Sequence, residues 1–94
     1  MQTVVLDTNA LLMHCEMKMN LTLTVERLIG EAEFIVPGPL IGELKHLDNK
    51  YAPAALQLAR KYEIVPTEAT GDNSVIELAL HRKAFVLKKD KILR

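Results

Sequence analysis

Four short apolar runs along the chain predict β-strands. They are rich in β-branched or aromatic residues and do not alternate cleanly with polar residues, which is typical of strands buried on both faces of a parallel sheet. The runs occupy residues 3–6, 33–36, 63–65 and 84–87. Because helices cover both faces of such a sheet, the segments between the runs should be helical.

The intervening segments carry apolar residues at three- and four-residue spacing, which predicts amphipathic helices. The predicted helices cover residues 9–15, 21–29, 40–47, 52–59 and a segment that opens with a capping box at residues 74–77. Gly30 is placed to end the second of them. Strands that alternate with helices predict one α/β domain over residues 1–94, with a mainly parallel four-stranded sheet.

Composition favours a small soluble domain and a cytoplasmic location. Apolar residues make up 49% of the chain and charged residues 26%, which argues against disorder. No apolar run approaches the roughly 20 residues of a membrane span, and Cys15 has no second cysteine with which to form a disulfide. A net charge of zero gives the whole molecule no general attraction to nucleic acid or membrane.

Charge is nevertheless unevenly distributed. The last 14 positions hold six of the 12 basic residues and one of the 12 acidic residues, so they carry +5 and residues 1–80 carry −5. Such asymmetry is typical of a basic contact edge beside an acidic site. A solvated terminal helix with several lysines has the same composition, and the sequence leaves both interpretations open.

Four acidic residues follow the predicted strands in a common way. Asp7 ends the first strand, Glu43 lies in the helix after the second, Asp72 opens the helix after the third, and Asp90 follows the fourth. Because parallel strands end at one edge of a sheet, these carboxylates should meet there. Each also has a purely structural explanation, such as helix capping for Asp7 and Asp72, or simple solvation.

Carboxylates that cluster repel one another unless a cation lies among them. Ligand sets made of oxygen alone suit hard divalent ions such as Mg²⁺ and Mn²⁺. One or two such ions, held by carboxylates, are common machinery for cleaving phosphodiester bonds. The acidic edge therefore predicts a metal site with hydrolytic chemistry.

The segments that carry these acids resemble, in order, the motifs of PIN-domain nucleases. The first is a hydrophobic strand, then Asp-Thr-Asn and an apolar helix, and the second is a strand ending in Val-Pro followed by a helical glutamate. The third is an aspartate that opens a helix with an alanine seven residues on, and the fourth is a hydrophobic strand followed by an aspartate and a basic residue. They occupy residues 4–12, 36–47, 71–79 and 85–94.

The resemblance implies a three-layer α/β/α fold and a Mg²⁺- or Mn²⁺-dependent endoribonuclease, in which a metal-activated water attacks the RNA phosphodiester. It implies that the metal-binding and catalytic acids are Asp7, Glu43, Asp72 and Asp90. Hydrogen bonds from Thr8 or Asn9 would support Asp7. The family includes toxins of toxin–antitoxin pairs and nucleases of ribosomal RNA maturation, so an antitoxin-like or a ribosome-biogenesis partner stays open.

Contacts to RNA, on this interpretation, come mainly from the basic tail to phosphate groups. The residues concerned are Lys88, Lys89, Lys91 and Arg94. Aromatic residues make up 4% of the chain, which is too few for a platform on which bases stack.

The chain departs from the family pattern at three places. Lys88 stands where the family usually has threonine or serine, and Asn73 stands where many relatives have a second aspartate. Family members also usually continue past the fourth motif with a helix and a fifth strand, so a short or C-terminally truncated member is expected. The fourth strand would then be an exposed sheet edge, which predicts a homodimer. These departures support an alternative function, a non-catalytic PIN-like module that binds RNA or protein.

Overall fold

A computed structural model describes residues 1–89 and 91–93 of the chain. Within these residues the protein forms five helices and five strands. In chain order they are β1 (Gln2–Leu6), α1 (Thr8–Glu16), α2 (Leu21–Ile29), β2 (Ala32–Pro37), α3 (Gly38–His46), α4 (Ala52–Ala59), β3 (Glu63–Val65), α5 (Asp72–Arg82), β4 (Phe85–Lys88) and β5 (Lys91–Leu93). The predicted mixed α/β architecture is confirmed, and the four predicted strands lie within one residue of β1 to β4.

All five strands belong to one sheet, in the order β3-β2-β1-β4-β5. β1 to β4 pair in parallel with one another, and β5 pairs antiparallel with β4. The chain moves outward from β1 through β2 to β3 and then crosses back to β4. Because such crossovers are right-handed, the helices of the outward path cover one face and α5 covers the other, which gives three layers.

The prediction of a four-stranded sheet with β4 at its edge was wrong. The chain reverses at Lys89, whose backbone has a φ of 57°, and β5 then pairs along β4. Three residues that begin with a lysine give no apolar run, so the sequence carried no signal for this strand. The expected homodimer loses the structural reason given for it, since β4 is covered, and it stays an untested prediction.

The core lies along the central strands, as the continuous apolar runs predicted. Val4, Val5 and Leu6 of β1 are fully buried, as is Leu87 of β4. With parallel neighbours on both sides and helices on both faces, the carboxyl-terminal half of β1 has no solvent-facing side. Its carboxyl end is therefore a rigid and well-defined point in the molecule. No helix among the described residues is long and apolar enough to span a membrane.

The start of α5 differs from the predicted capping box. The helix begins at Asp72, after Gly71, and the Ser74 hydroxyl donates to the Gly71 carbonyl at 2.6 Å. Glu77 does not cap the helix, because its carboxylate accepts the backbone N–H groups of Glu68 and Ala69, each at 2.9 Å. Glu77 thus ties the loop that leads into α5 to the helix itself, and fixes where Asp72 lies.

Replacing Glu77 by glutamine should lower thermal stability near neutral pH. The hydrogen bonds from the Glu68 and Ala69 amides lower the pKa of the Glu77 carboxyl below its ordinary 4.5. A carboxyl whose pKa is lowered by folding stabilises the fold above its unfolded-state pKa, and this contribution is lost as the pH falls through the folded-state value. Thermal unfolding of the wild type and of Glu77→Gln should therefore differ at pH 7 and differ less at pH 3. An equal difference at both pH values would contradict a role for the charge.

Candidate functional site

Asp7 is the most enclosed acidic side chain at the carboxyl edge of the sheet. It follows β1 directly and precedes α1, and only 3% of its surface is exposed. It occupies the position of an N-cap residue, but its side chain makes no capping hydrogen bond. Its Oδ2 atom is buried without a hydrogen-bond partner within the described part of the chain. Helix capping therefore does not account for Oδ2, although the first amides of α1 favour the charged carboxylate.

The surroundings of Asp7 make its charged form costly. Burial raises the pKa of the Asp7 carboxyl, and the negative charge of Asp72 raises it further. Lys88 and the backbone amides of Thr8 and Asn9 act in the opposite direction. Because the rise prevails, the protein alone does not fully compensate a negative charge at this point, and a cation would relieve the cost.

Side-chain support of Asp7 by Thr8, as the resemblance implied, is not seen. The Thr8 hydroxyl is itself buried with no hydrogen-bond partner among residues 1–89 and 91–93. Two neighbouring buried oxygen atoms thus lack a partner at the same sheet edge, which is unusual because buried polar side chains are nearly always paired. Asn9 is exposed and influences Asp7 through its backbone amide.

Asp72 and Glu43 approach Asp7 from two different helices. Asp72 is the first residue of α5 and Glu43 lies in the middle of α3, and both are exposed. Partial loss of solvent raises the pKa of the Glu43 carboxyl, and the charges of Asp72 and then Asp7 raise it further. The structure therefore brings three of the four predicted acids close enough to influence one another electrostatically.

The geometry of a complete metal site is not present in the described residues. Nowhere in residues 1–89 and 91–93 do three or more His, Cys, Asp or Glu side chains form a group that could hold a metal ion. Asp90, the fourth predicted acid, lies outside the described residues, as does the predicted RNA contact Arg94. The described site is thus a pair, Asp7 and Asp72, which line one cavity and whose charges raise the pKa of Glu43 outside it.

Lys88 lies beside Asp7 because of the strand register. In the parallel pairing, Leu6 of β1 is opposite Leu87 of β4, and the Asp7 amide donates to the Leu87 carbonyl at 3.4 Å. One residue further along both strands, Asp7 and Lys88 are neighbours on the same face. A cation thus stands at the position where the family usually has a small hydroxyl, and it lines a cavity together with Asp7 and Asp72.

Two cavities meet at these residues. One, of about 200 Å³, lies between α5 and the β4–β5 hairpin, and the other, of about 370 Å³, lies along the hairpin turn. The first is lined by Asp7, Asp72, Val75, Ile76, Val86, Lys88 and Leu93. The second is lined by Asp7, Asn9, Lys88, Lys89, Lys91 and Leu93. The two cavities share Asp7, Lys88 and Leu93. The smaller is acidic with apolar walls, and three of the six residues that line the larger are lysines.

The lysine-lined cavity depends on β5. Lys91 is paired with Lys88 across the antiparallel hairpin, and Lys89 occupies the turn between them. Three cations are thus brought together next to Asp7. The sequence placed these lysines in a basic tail, but the closing of the hairpin, which assembles them into one cavity, could not be inferred from it.

Sequence reasoning also missed the apolar wall of the smaller cavity. Val75 and Ile76 come from α5, and Val86 and Leu93 come from β4 and β5. In the sequence these residues resemble ordinary core positions, since only the pairing of β5 brings Leu93 opposite Val86. Another cavity, of about 540 Å³, lies between α5 and the loop after β3, and it shares none of its described residues with the two at Asp7.

Comparisons with known proteins agree with this architecture. A family model described as "PIN like domain" matches residues 4–94. Among solved structures, "Structure of the PIN domain endonuclease Utp24" superposes with a TM-score of 0.72 and 17% sequence identity, over 97% of this chain and 89% of that chain. At this identity the superposition establishes similarity of fold. No curated protein matches the chain significantly.

Proposed function

Since this chain belongs to the PIN-like domain family, whose members are usually nucleases, we propose that it is a metal-dependent endoribonuclease. The observation that carries the proposal is the state of Asp7, a nearly buried carboxylate at the end of the central strand, with one oxygen that has no hydrogen-bond partner among the described residues. A purely structural aspartate would be paired or solvated. The metal-binding acids proposed are Asp7, Glu43, Asp72 and Asp90.

The residues present suit a hard divalent cation. The donors are carboxylate oxygens, which Mg²⁺ and Mn²⁺ prefer, and a cation would offset the burial and the mutual repulsion that raise the pKa values of Asp7 and Glu43. Mg²⁺ usually uses only one or two protein carboxylates and keeps several waters. A site with Asp7 and Asp72 at its centre therefore needs no fully enclosed cage.

The chain's own groups have distinct parts in the proposed reaction. A bound Mg²⁺ or Mn²⁺ would supply a water of lowered pKa and polarise a phosphoryl oxygen. Asp7, fixed at the end of a buried strand, would hold the site at one point relative to the fold. Lys88, Lys89 and Lys91 line the adjoining cavity, where they would hold the negative phosphate chain against the acidic edge.

Addition of Mn²⁺ should stabilise the fold and start RNA cleavage. Binding to the native state alone raises the free energy of unfolding by about 2.7 kcal/mol when the ion is at 100 times its Kd. Thermal unfolding with increasing Mn²⁺, and gel analysis of a labelled single-stranded RNA in the same buffers, measure the two effects. Ca²⁺ serves as a control for general ionic stabilisation. Cleavage that persists in excess EDTA would contradict the proposal.

One feature favours the alternative, a non-catalytic RNA-binding or protein-interaction module. Lys88 lies beside Asp7, where its charge already offsets part of the acidic repulsion without a metal ion. The same titration separates the two functions. RNA binding with no Mn²⁺-dependent shift in unfolding temperature and no cleavage would favour the non-catalytic module.

A further inference from the structure

The cavity between α5 and the β4–β5 hairpin has a composition that a metal site does not require. Its described walls are four aliphatic side chains, Val75, Ile76, Val86 and Leu93, and its polar groups, Asp7, Asp72 and Lys88, complete the lining. Metal and phosphate chemistry needs only the polar groups. The apolar walls, together with a volume of about 200 Å³, call for a separate explanation.

We propose that this cavity receives one unpaired nucleobase of the RNA strand, next to the phosphate held at the acidic edge. This inference rests on the proposed nuclease function and adds to it a position for one base beside the acidic edge. The occupant is a base because the two cavities adjoin, sharing Asp7, Lys88 and Leu93 in their linings. A strand whose phosphate lies among Lys88, Lys89 and Lys91 places a neighbouring base within reach of the apolar walls.

Size and wall chemistry agree with a base. About 200 Å³ equals roughly seven liquid-water volumes, and it is smaller than the ~300–1,000 Å³ of pockets for drug-sized ligands. Extruded bases are commonly held between aromatic or apolar side chains. Here the helix α5 supplies Val75 and Ile76 on one side, while the hairpin supplies Val86 and Leu93 on the other.

The same walls predict little choice among the four bases. Sequence reading needs hydrogen bonds to base edges, and aliphatic groups provide none. A paired base in a duplex is stacked inside the helix and cannot enter a cavity of this kind without being unpaired. The cavity therefore selects for an unpaired strand and tolerates different sequences.

Charge separates this occupant from an apolar peptide side chain. An apolar segment of a protein partner would gain nothing from the three lysines of the adjoining cavity, whereas an RNA strand carries a phosphate at every nucleotide. The lysine cavity and the apolar cavity are thus complementary to the two parts of one nucleotide.

Fluorescence anisotropy in EDTA tests the inference without requiring cleavage. The probes are a labelled single-stranded oligouridylate and an abasic strand with the same number of phosphates, at one ionic strength. We expect the wild type to bind the oligouridylate about fivefold more tightly than the abasic strand. This effect is at the low end for base contacts because none of the described residues that line the cavity is aromatic. Equal affinity for the two probes, or no measurable binding of either, would overturn the inference.

A matched pair of variants locates the effect. Ile76 and Leu80 lie one turn apart on α5 and are 55% and 75% exposed, but only Ile76 lines the cavity. Alanine suits an exposed helix position, so both variants should fold. Ile76→Ala should reduce the preference for the base-bearing strand by roughly threefold, and Leu80→Ala should leave it unchanged. Equal losses in both variants would contradict a base in this cavity.

The outcomes distinguish this inference from the proposed nuclease activity. A preference for the base-bearing strand, without cleavage in Mn²⁺, would support the cavity and contradict the nuclease. Cleavage in Mn²⁺ by a protein that binds both probes equally would support the nuclease and overturn the cavity. An apolar peptide that displaces the oligouridylate while the abasic strand stays bound would assign the cavity to a protein partner and overturn the inference.

Discussion

Replacing Asp7 by asparagine should abolish RNA cleavage without destabilising the metal-free protein. Loss of groups that merely support metal ligands commonly costs 10–100-fold in affinity or activity, so loss of a proposed direct ligand should cost at least about 100-fold. In the metal-free fold, by contrast, the Asp7 carboxylate is buried and repelled by Asp72, and its Oδ2 atom has no hydrogen-bond partner in the part of the chain that the structure describes. Removing its charge should therefore leave the free energy of unfolding unchanged or raise it.

Two measurements on the same preparations check this expectation. The first is the Mn²⁺-dependent cleavage rate of a single-stranded RNA, and the second is chemical unfolding in EDTA. The matched control is Glu31→Gln, which makes the same carboxylate-to-amide change at an exposed residue just before β2, at the opposite edge of the sheet. Wild-type cleavage by Asp7→Asn would rule out a metal role for Asp7, and strong destabilisation in EDTA would show that its charge serves the fold.

Replacing Lys88 by threonine should tighten Mn²⁺ binding and raise cleavage activity. Lys88 lies beside Asp7 in register and lowers its pKa, so its positive charge competes with any cation that the carboxylates attract. The side chain is exposed, and exposed charge pairs contribute only about 0–1 kcal/mol. Lys88 repels a divalent ion twice as strongly as a monovalent ion. We therefore expect Lys88→Thr to raise the affinity for Mn²⁺ roughly three- to tenfold.

Calorimetric titration of Mn²⁺ at one ionic strength measures the effect of Lys88→Thr. Lys61→Thr is the matched control, since Lys61 is an exposed lysine just before β3 and lines neither cavity at Asp7. A general effect of net charge would appear equally in both variants. Unchanged Mn²⁺ affinity together with weaker RNA binding in Lys88→Thr would show that Lys88 serves the phosphate backbone instead of opposing the metal.

The fold was largely predictable because its main signal is local. Strands covered on both faces must be apolar throughout, and this requirement places β1 to β4 in the sequence within one residue. The strand β5 had no such signal. The strand forms because Lys89 adopts a left-handed backbone conformation and because β5 can pair along β4. A glycine or asparagine at this position would have indicated such a turn in the sequence, whereas a lysine does not.

The candidate site was predictable to a lesser degree. The alternation of strands and helices places Asp7 and Asp72 at one edge, and the structure shows them lining one cavity. The sequence could not indicate that Asp7 is nearly buried while Asp72 and Glu43 are exposed. Burial depends on how tightly α1 and α5 close over the end of β1, and this is a property of packing between distant segments.

The hairpin that completes both cavities also forms one edge of the sheet. β5 has three residues and stands last in the strand order, so it can separate from β4 while the parallel core stays intact. Such an opening would remove Lys91 and Leu93 from the cavity linings. Only molecules with a closed hairpin are competent to bind, and the observed affinity is the intrinsic affinity multiplied by that closed fraction. Residues that do not contact the ligand, but determine the fraction of molecules with a closed hairpin, therefore influence the observed affinity for the ligand.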